Sequence, residues 1–87
     1  MDEFIQSLDL PFEGEYDKHN NYIIEVQTSN DFSDLYNCIS LNKELTLGEH
    51  SIATDDESLF TFYNGIYDVK LEANYKTDTY RITISER

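Results

Sequence analysis

Residues 59–71 read LFTFYNGIYDVKL, and this stretch decides how the rest of the chain can fold. Asn64-Gly65 stands between two segments of alternating apolar and polar residues, which is the strongest short-range signal for a β-hairpin. A two-residue type I′ turn centred on this dipeptide predicts the cross-strand pairs Tyr63–Ile66, Phe62–Tyr67 and Phe60–Val69. The alternation also predicts a core face made of Phe60, Phe62, Tyr67, Val69 and Leu71.

Shorter patterns predict the elements of the first third of the chain. A short helix is expected over residues 2–10, and Pro11 ends it because the residue before proline is pushed out of the helical region. Residues 12–21 show no period and are predicted to be a loop. Residues 22–28 alternate apolar and polar side chains, as in a half-buried strand.

A second helix is predicted over residues 31–41. Ser29 or Asn30 is expected to be its N-cap, and Asp31 and Asp34 fall in its first turn, where the helix dipole favours acids. One face of this helix carries apolar residues at positions i, i+3, i+4 and i+7, which are Phe32, Leu35, Tyr36 and Ile39.

Residues 42–57 leave two alternatives open, a short strand or a covering loop anchored by Leu45, Leu47 and Ile52. Beyond the hairpin, residues 76–79 form a predicted turn, and an alternating strand from Tyr80 completes a three-stranded antiparallel meander. Together these elements predict an α+β fold, with an antiparallel sheet of about four strands and one or two short helices packed on one face.

Composition limits the classes of protein to consider. The 87 residues are expected to form a single domain, 1–87, with a net charge of −12. A single cysteine, Cys38, rules out an internal disulfide and favours a reducing compartment. With no basic, apolar leader and no apolar run of ~20 residues, we expect a cytoplasmic location. Such acidity disfavours direct binding to nucleic acid or anionic lipid.

The charge is distributed unevenly along the chain. Residues 1–57 contain fourteen acids and two bases, a net −12, whereas residues 58–87 contain four of each and sum to zero. A solubilising coat would not be expected to divide in this way, so we predict that the acids form a binding face for a basic partner. The residues predicted for this acidic face are Asp31, Asp34, Glu44, Glu49, Asp55, Asp56 and Glu57.

Catalytic and metal-binding patterns are weak. His19 and His50 are isolated, the acids lack the spacing of a calcium loop, and no residue marks an orienting partner or an oxyanion hole for a Cys38–His50 pair. We therefore expect no enzyme activity, no cofactor and no metal site.

The outward row of the hairpin contains three apolar residues, Leu59, Tyr63 and Ile66. We expect a helix to cover this row, which we call the apolar row. The alternatives are a contact in a symmetric homodimer and a docking patch for a partner in an ordinary interaction module.

In size, acidity, aromatic content and α+β pattern the chain resembles the small acidic DNA-mimic inhibitors of bacteriophages. These include uracil-glycosylase inhibitors, antirestriction proteins, anti-CRISPR proteins and early proteins of Bacillus lytic phages that block the histone-like nucleoid protein HU. The resemblance implies an inhibitor that occupies the DNA site of a basic bacterial protein. An HU-like protein is the first expected target, and a CRISPR effector, another nuclease or a glycosylase inhibited by the same mimicry is the alternative.

Overall fold

A computed structural model describes the backbone of residues 1–87 and the side chains of residues 1–51 and 55–87. The fold is α+β, as predicted, with two helices on one side of an antiparallel sheet. Neither helix of the described chain is long and apolar enough to cross a membrane. The elements are, in chain order, α1 (Asp2–Leu8), β1 (Glu15–Tyr16), β2 (Tyr22–Val26), α2 (Ser29–Ser40), β3 (Thr46–Thr54), β4 (Glu57–Tyr63), β5 (Tyr67–Asn74) and β6 (Thr79–Glu86).

The sheet has six strands in the order β1-β2-β6-β5-β4-β3, two more than the predicted four. The C-terminal meander β4-β5-β6 is confirmed, and β2 joins it by pairing with β6. The additional strands are β1, in the segment predicted to be a loop, and β3, in the segment whose structure was left open. Both lie at the edges of the sheet.

The hairpin forms where it was predicted, but its register differs by two residues. Tyr63 pairs with Asp68 and Phe62 with Val69, and the central residues of the turn are Gly65 and Ile66. The reason is the Asn64 side chain, whose Oδ1 accepts the backbone N–H groups of Ile66 and Tyr67 at 2.8 and 2.7 Å. Neither Asn64 nor Gly65 has a positive φ, so the type I′ turn is also wrong. An even shift preserves the two faces of the strands, so the predicted core face is still correct.

The two helices and one face of the sheet enclose the core. The apolar stripe of α2 is confirmed, with Phe32, Leu35 and Ile39 buried. The Phe32 ring stacks on that of Tyr80, with centroids 5.2 Å apart. The N-cap is Thr28, one residue before the predicted candidates, and its Oγ1 accepts the Asp31 N–H at 3.2 Å.

Helix α1 ends at Leu8, because Asp9 adopts the left-handed conformation with φ 51°. It covers the opposite end of the sheet face. Phe4 stacks on Tyr67 with ring centroids 4.2 Å apart, and Leu8 is buried. We call the face of the sheet under α1 and α2 the helix side and the other the open face.

Strand β3 contains a bulge that explains why its pattern was hard to read. The register with β4 shifts between Leu47 and Glu49, so that Leu47 lies on the helix side, opposite Phe62, and Glu49 lies on the open face, opposite Thr61. A Cβ atom on Gly48 would approach Thr61 Oγ1 to 2.9 Å. Glycine is therefore the residue that fits the bulge.

Candidate functional site

The open face carries half of the basic side chains, three of the six in the chain. The strand registers place there six acids and three bases, a net charge of −3, at Glu15, Glu25, Glu49, Glu57, Asp68, Lys70, Glu72, Arg81 and Arg87. Three ion pairs join the described side chains of this face: Arg81–Glu25 at 2.8 Å, Arg87–Asp68 at 3.3 Å and Lys70–Glu72 at 3.7 Å. Each is about half exposed, so each contributes little to stability.

The remaining charge lies on the helices, on the connecting segments and at Glu86. These parts contain twelve acids and three bases, a net −9 of the total of −12. The negative charge is therefore concentrated away from the centre of the open face. The structure explains the uneven distribution of charge along the sequence. The bases of the C-terminal strands pair with acids on the same face of the sheet, and the helices and connecting segments carry the excess negative charge.

The predicted acidic face is divided by the fold into three parts. Asp31 and Asp34 lie on α2, and Glu44 lies in the connection from α2 to β3. Asp55 and Asp56 form the β3–β4 turn, at the end of the sheet where α2 begins. Glu49 and Glu57 are strand residues of the open face. The seven carboxylates therefore do not share a single face, and their role in binding stays a prediction.

Two further acids accompany Asp31 and were missed. A depression beside the start of α2 is lined by Glu25, Asp31 and Asp78, together with Phe12 and Thr28. Asp78 occupies the β5–β6 turn with φ 50° and accepts the Tyr80 hydroxyl at 3.1 Å. The sequence contained a signal for Asp78, because it belongs to the turn predicted between two paired strands. That turn lies at the same end of the sheet as the β2–α2 connection and the first turn of α2, which contains Asp31.

The apolar row is not covered by a helix, so that prediction is wrong. Both helices pack on the other side of the sheet. Leu59 is half-buried on the open face and Tyr63 is 37% exposed, with the Arg87 guanidinium 5.0 Å above its ring. Ile66 stands in the turn, 62% exposed. The three side chains do not form a continuous patch, because Thr61 and Arg87 interrupt it.

The Tyr16 hydroxyl and the Asp17 carboxyl, both near the β1 edge, have shifted pKa values. The Tyr16 hydroxyl donates to the Asp2 carboxylate, which raises the pKa of Tyr16 to about 12. Asp17 accepts the backbone N–H groups of Asn21 and His19 at 2.9 and 2.8 Å, and these bonds lower the pKa of its carboxyl. Both interactions position the segment between α1 and β2.

Cys38 and His50 lie apart. The Cys38 thiol is 4.0 Å from the Asp9 carbonyl oxygen, on the α1 side of α2. His50 stacks on Phe60, which in turn contacts Tyr36 on the other side of that helix. Among the side chains that the structure describes, no group of three or more His, Cys, Asp or Glu residues is positioned to hold a metal ion.

These surfaces offer fixed negative charge and hydrogen-bond acceptors. The aromatic side chains are mostly used in the core, where they pack in pairs. No protein-family model, curated protein or solved structure matches the chain.

Proposed function

We propose that this protein is a DNA mimic that binds the DNA-binding site of a basic protein in the bacterial cytoplasm and competes with DNA. It acts by occupying a site and not by catalysis. The observation that carries this proposal is the net −9 on the helices, the connecting segments and Glu86, against −3 on the open face. The three ion pairs of the open face leave that excess in place on the rest of the surface.

The size of the charge supports this proposal. The molecule measures 34 × 23 × 23 Å. B-DNA carries one phosphate per ~1.7 Å of axis, so a duplex of the same length has about 20, of which about 10 face one side. The charge of −9 is therefore similar to that of one side of a short duplex. These acids are divided between the helix side and the two ends of the sheet, so a surface built to hold DNA phosphates would meet part of this charge in any one orientation.

The resemblance to phage inhibitors makes an HU-like nucleoid protein the first target to test, with a nuclease or a glycosylase as the alternative. The experiment is displacement of a fluorescent duplex from the purified HU-like protein, followed by anisotropy at about 50 and 300 mM NaCl. We expect this protein to displace the duplex at low salt and to lose affinity at least about tenfold at the higher concentration. Affinity that is independent of salt would contradict mimicry.

Two charge-matched variants locate the binding surface. The first combines Asp55→Asn and Asp56→Asn in the β3–β4 turn with Glu57→Gln at the first residue of β4. The control combines Glu25→Gln, Asp68→Asn and Glu72→Gln, the acids of the three open-face ion pairs. Both variants have a net charge of −9, three units above the original −12. We expect the first to weaken binding by about tenfold or more and the control by much less.

Equal losses in the two variants would mean that total charge, and not its position, attracts the partner. A pull-down from bacterial lysate extends the test beyond HU. A basic DNA-binding protein released by high salt would support the proposal. A neutral partner that stays bound at high salt and is lost on Tyr63→Ala would instead favour docking through the apolar row.

A further inference from the structure

The outer edge of β3 is the longest unpaired strand edge in the described chain. β3 spans Thr46–Thr54 and pairs on one side only, with β4. The opposite edge of the sheet is formed by β1, which has only two residues. A long edge strand presents free backbone donors and acceptors to any extended chain, and most proteins protect such edges.

The hydrogen-bond ladder identifies which groups of β3 point outward. Asn64 donates its N–H to the Tyr67 carbonyl, so this pair is hydrogen-bonded across the β4–β5 hairpin. Because bonding alternates along an antiparallel strand, the residues of β4 that bond to β3 are Tyr63, Thr61 and Leu59. Their partners on β3 are Thr46, Glu49 and Ser51. The N–H and C=O groups of Leu47 and His50 therefore point away from the sheet.

The edge lacks two of the usual protective residues, since residues 46–54 contain neither lysine nor proline. Its protection comes from the bulge at Gly48 and from negative charge. The segment 43–57 contains five acids, Glu44, Glu49, Asp55, Asp56 and Glu57, and one base, Lys43. This net charge of −4 on β3 and the segments that flank it opposes pairing with a second copy of the chain and attracts a cationic strand.

The side chains beside this edge suit a segment with two different faces. On the helix side, Leu47 is 53% exposed and His50 lies on the Phe60 ring, with centroids 4.2 Å apart and planes within 9°. On the open face, Glu49 accepts the Ser51 hydroxyl at 2.6 Å. An added strand would place one row of its side chains against apolar and aromatic groups and the other beside a carboxylate.

We propose that the outer edge of β3 pairs with an extended segment of a partner that alternates basic and aliphatic residues, adding a seventh strand to the sheet. Such binding combines backbone hydrogen bonds with charge complementarity. It rests on the proposed function, because it assigns the contact to a basic arm of the DNA-binding target. In this arrangement the β3 edge forms the backbone hydrogen bonds, and the rest of the acidic surface contributes only long-range attraction.

The first test uses a short peptide that alternates lysine and valine. Its control has the same sequence, but the backbone amide nitrogens along one edge of the peptide are methylated and cannot donate hydrogen bonds. Amide hydrogen exchange is followed by NMR with each peptide. We expect the unmodified peptide to slow exchange at Leu47 and His50 and the methylated peptide to bind about tenfold more weakly. Equal binding of the two peptides, or protection elsewhere on the surface, overturns the proposal.

The second test compares His50→Pro with His50→Ala in binding to the peptide and to the DNA-binding target. Both variants lose the imidazole ring, but only proline removes the outward N–H, and it leaves the bonds between β3 and β4 intact. We expect about a tenfold further loss of affinity for proline than for alanine, with the urea midpoint of each variant measured to confirm folding.

Equal binding by the two variants refutes strand addition. If His50→Pro binds the target normally while neutralisation of residues 55–57 abolishes binding, mimicry stands and the β3 proposal fails. If the alternating peptide protects His50 but no DNA-binding protein is displaced from DNA, the edge binds peptides and mimicry fails. Concentration-dependent protection of His50 without peptide would make a second copy of the chain the occupant and overturn the proposal.

Discussion

Substitution of Gly14 by alanine should destabilise the fold through a backbone clash at the β1 edge. A Cβ atom built on Gly14 overlaps the Ile23 carbonyl oxygen and lies 2.7 Å from Ile24 Cγ1 and 2.8 Å from the Ile23 carbonyl carbon. Ordinary contact begins at 3.4 Å, and the Ile23 carbonyl carbon is backbone, so the segment must move by at least the difference between 3.4 and 2.8 Å, which is 0.6 Å.

A movement of this size breaks the contacts that hold β1 in place. The Gly14 N–H donates to the Tyr22 hydroxyl at 2.7 Å, and β1 pairs with β2 through Glu15 and Tyr16. Losing two or three hydrogen bonds at about 1 kcal/mol each predicts a loss of about 2–3 kcal/mol in the free energy of unfolding. For a domain of this size the melting temperature should fall by about 8–24 °C.

The assay is urea unfolding followed by circular dichroism, with Gly65→Ala as the matched control. Gly65 also lacks a positive φ, and a Cβ atom there meets nothing within 4 Å. Gly65→Ala should therefore be neutral or stabilise by about 0.4–1 kcal/mol, because alanine restricts the unfolded chain. An unchanged midpoint for Gly14→Ala would refute the β1 geometry, and strong destabilisation by Gly65→Ala would refute a hairpin turn centred on Gly65 and Ile66.

Three further predictions concern pH, capping and salt. The raised pKa of Tyr16, about 12, means that its stabilising effect is complete below the ordinary tyrosine pKa of about 10 and is lost as the pH rises from about 10 to 12. Burial and Asp78 also raise the pKa of Tyr80, so part of the alkaline decline in urea midpoint does not depend on Tyr16. Tyr16→Phe should therefore make this decline shallower without abolishing it. An unchanged decline would refute the Tyr16–Asp2 bond. Thr28→Ala should cost about 1 kcal/mol of unfolding free energy and Thr28→Ser much less, whereas equal losses would remove the capping role. Added NaCl at about 0.5 M should raise the urea midpoint, since it screens repulsion within a chain of charge −12, and a lower midpoint would show that the exposed ion pairs matter more.

Sequence patterns predicted the core elements well because their signals are local. The stripe of α2 and the alternation in β2, β5 and β6 each follow from a period within one element. The register of the β4–β5 hairpin could not be predicted in the same way, because a single side chain decides it. Asn64 has two options, a central turn position or capping of the turn by Oδ1, and the structure has the second.

The sequence did not predict β1 and left β3 undecided, for different physical reasons. β1 is too short to show a period. Its position depends on contacts with Tyr22 on β2 and Asp2 on α1, which are residues of other elements. In β3 the bulge at Gly48 reverses the alternation between Leu47 and Glu49, so neither a strand nor a helix period fits the whole segment. The acidic face was grouped by sequence proximity, whereas the fold separates Glu49 from Asp34 by the thickness of the sheet.

The three open-face ion pairs also affect how the molecule moves in an electric field. Because Lys70, Arg81 and Arg87 lie on one face, the centre of negative charge is displaced from the centre of mass towards the helices and turns. The protein therefore has a dipole moment in addition to its net charge. Near a strongly cationic body the protein experiences a torque that rotates its helices and β-turns towards that body before contact. Its orientation is therefore biased during diffusion and not only at the moment of docking.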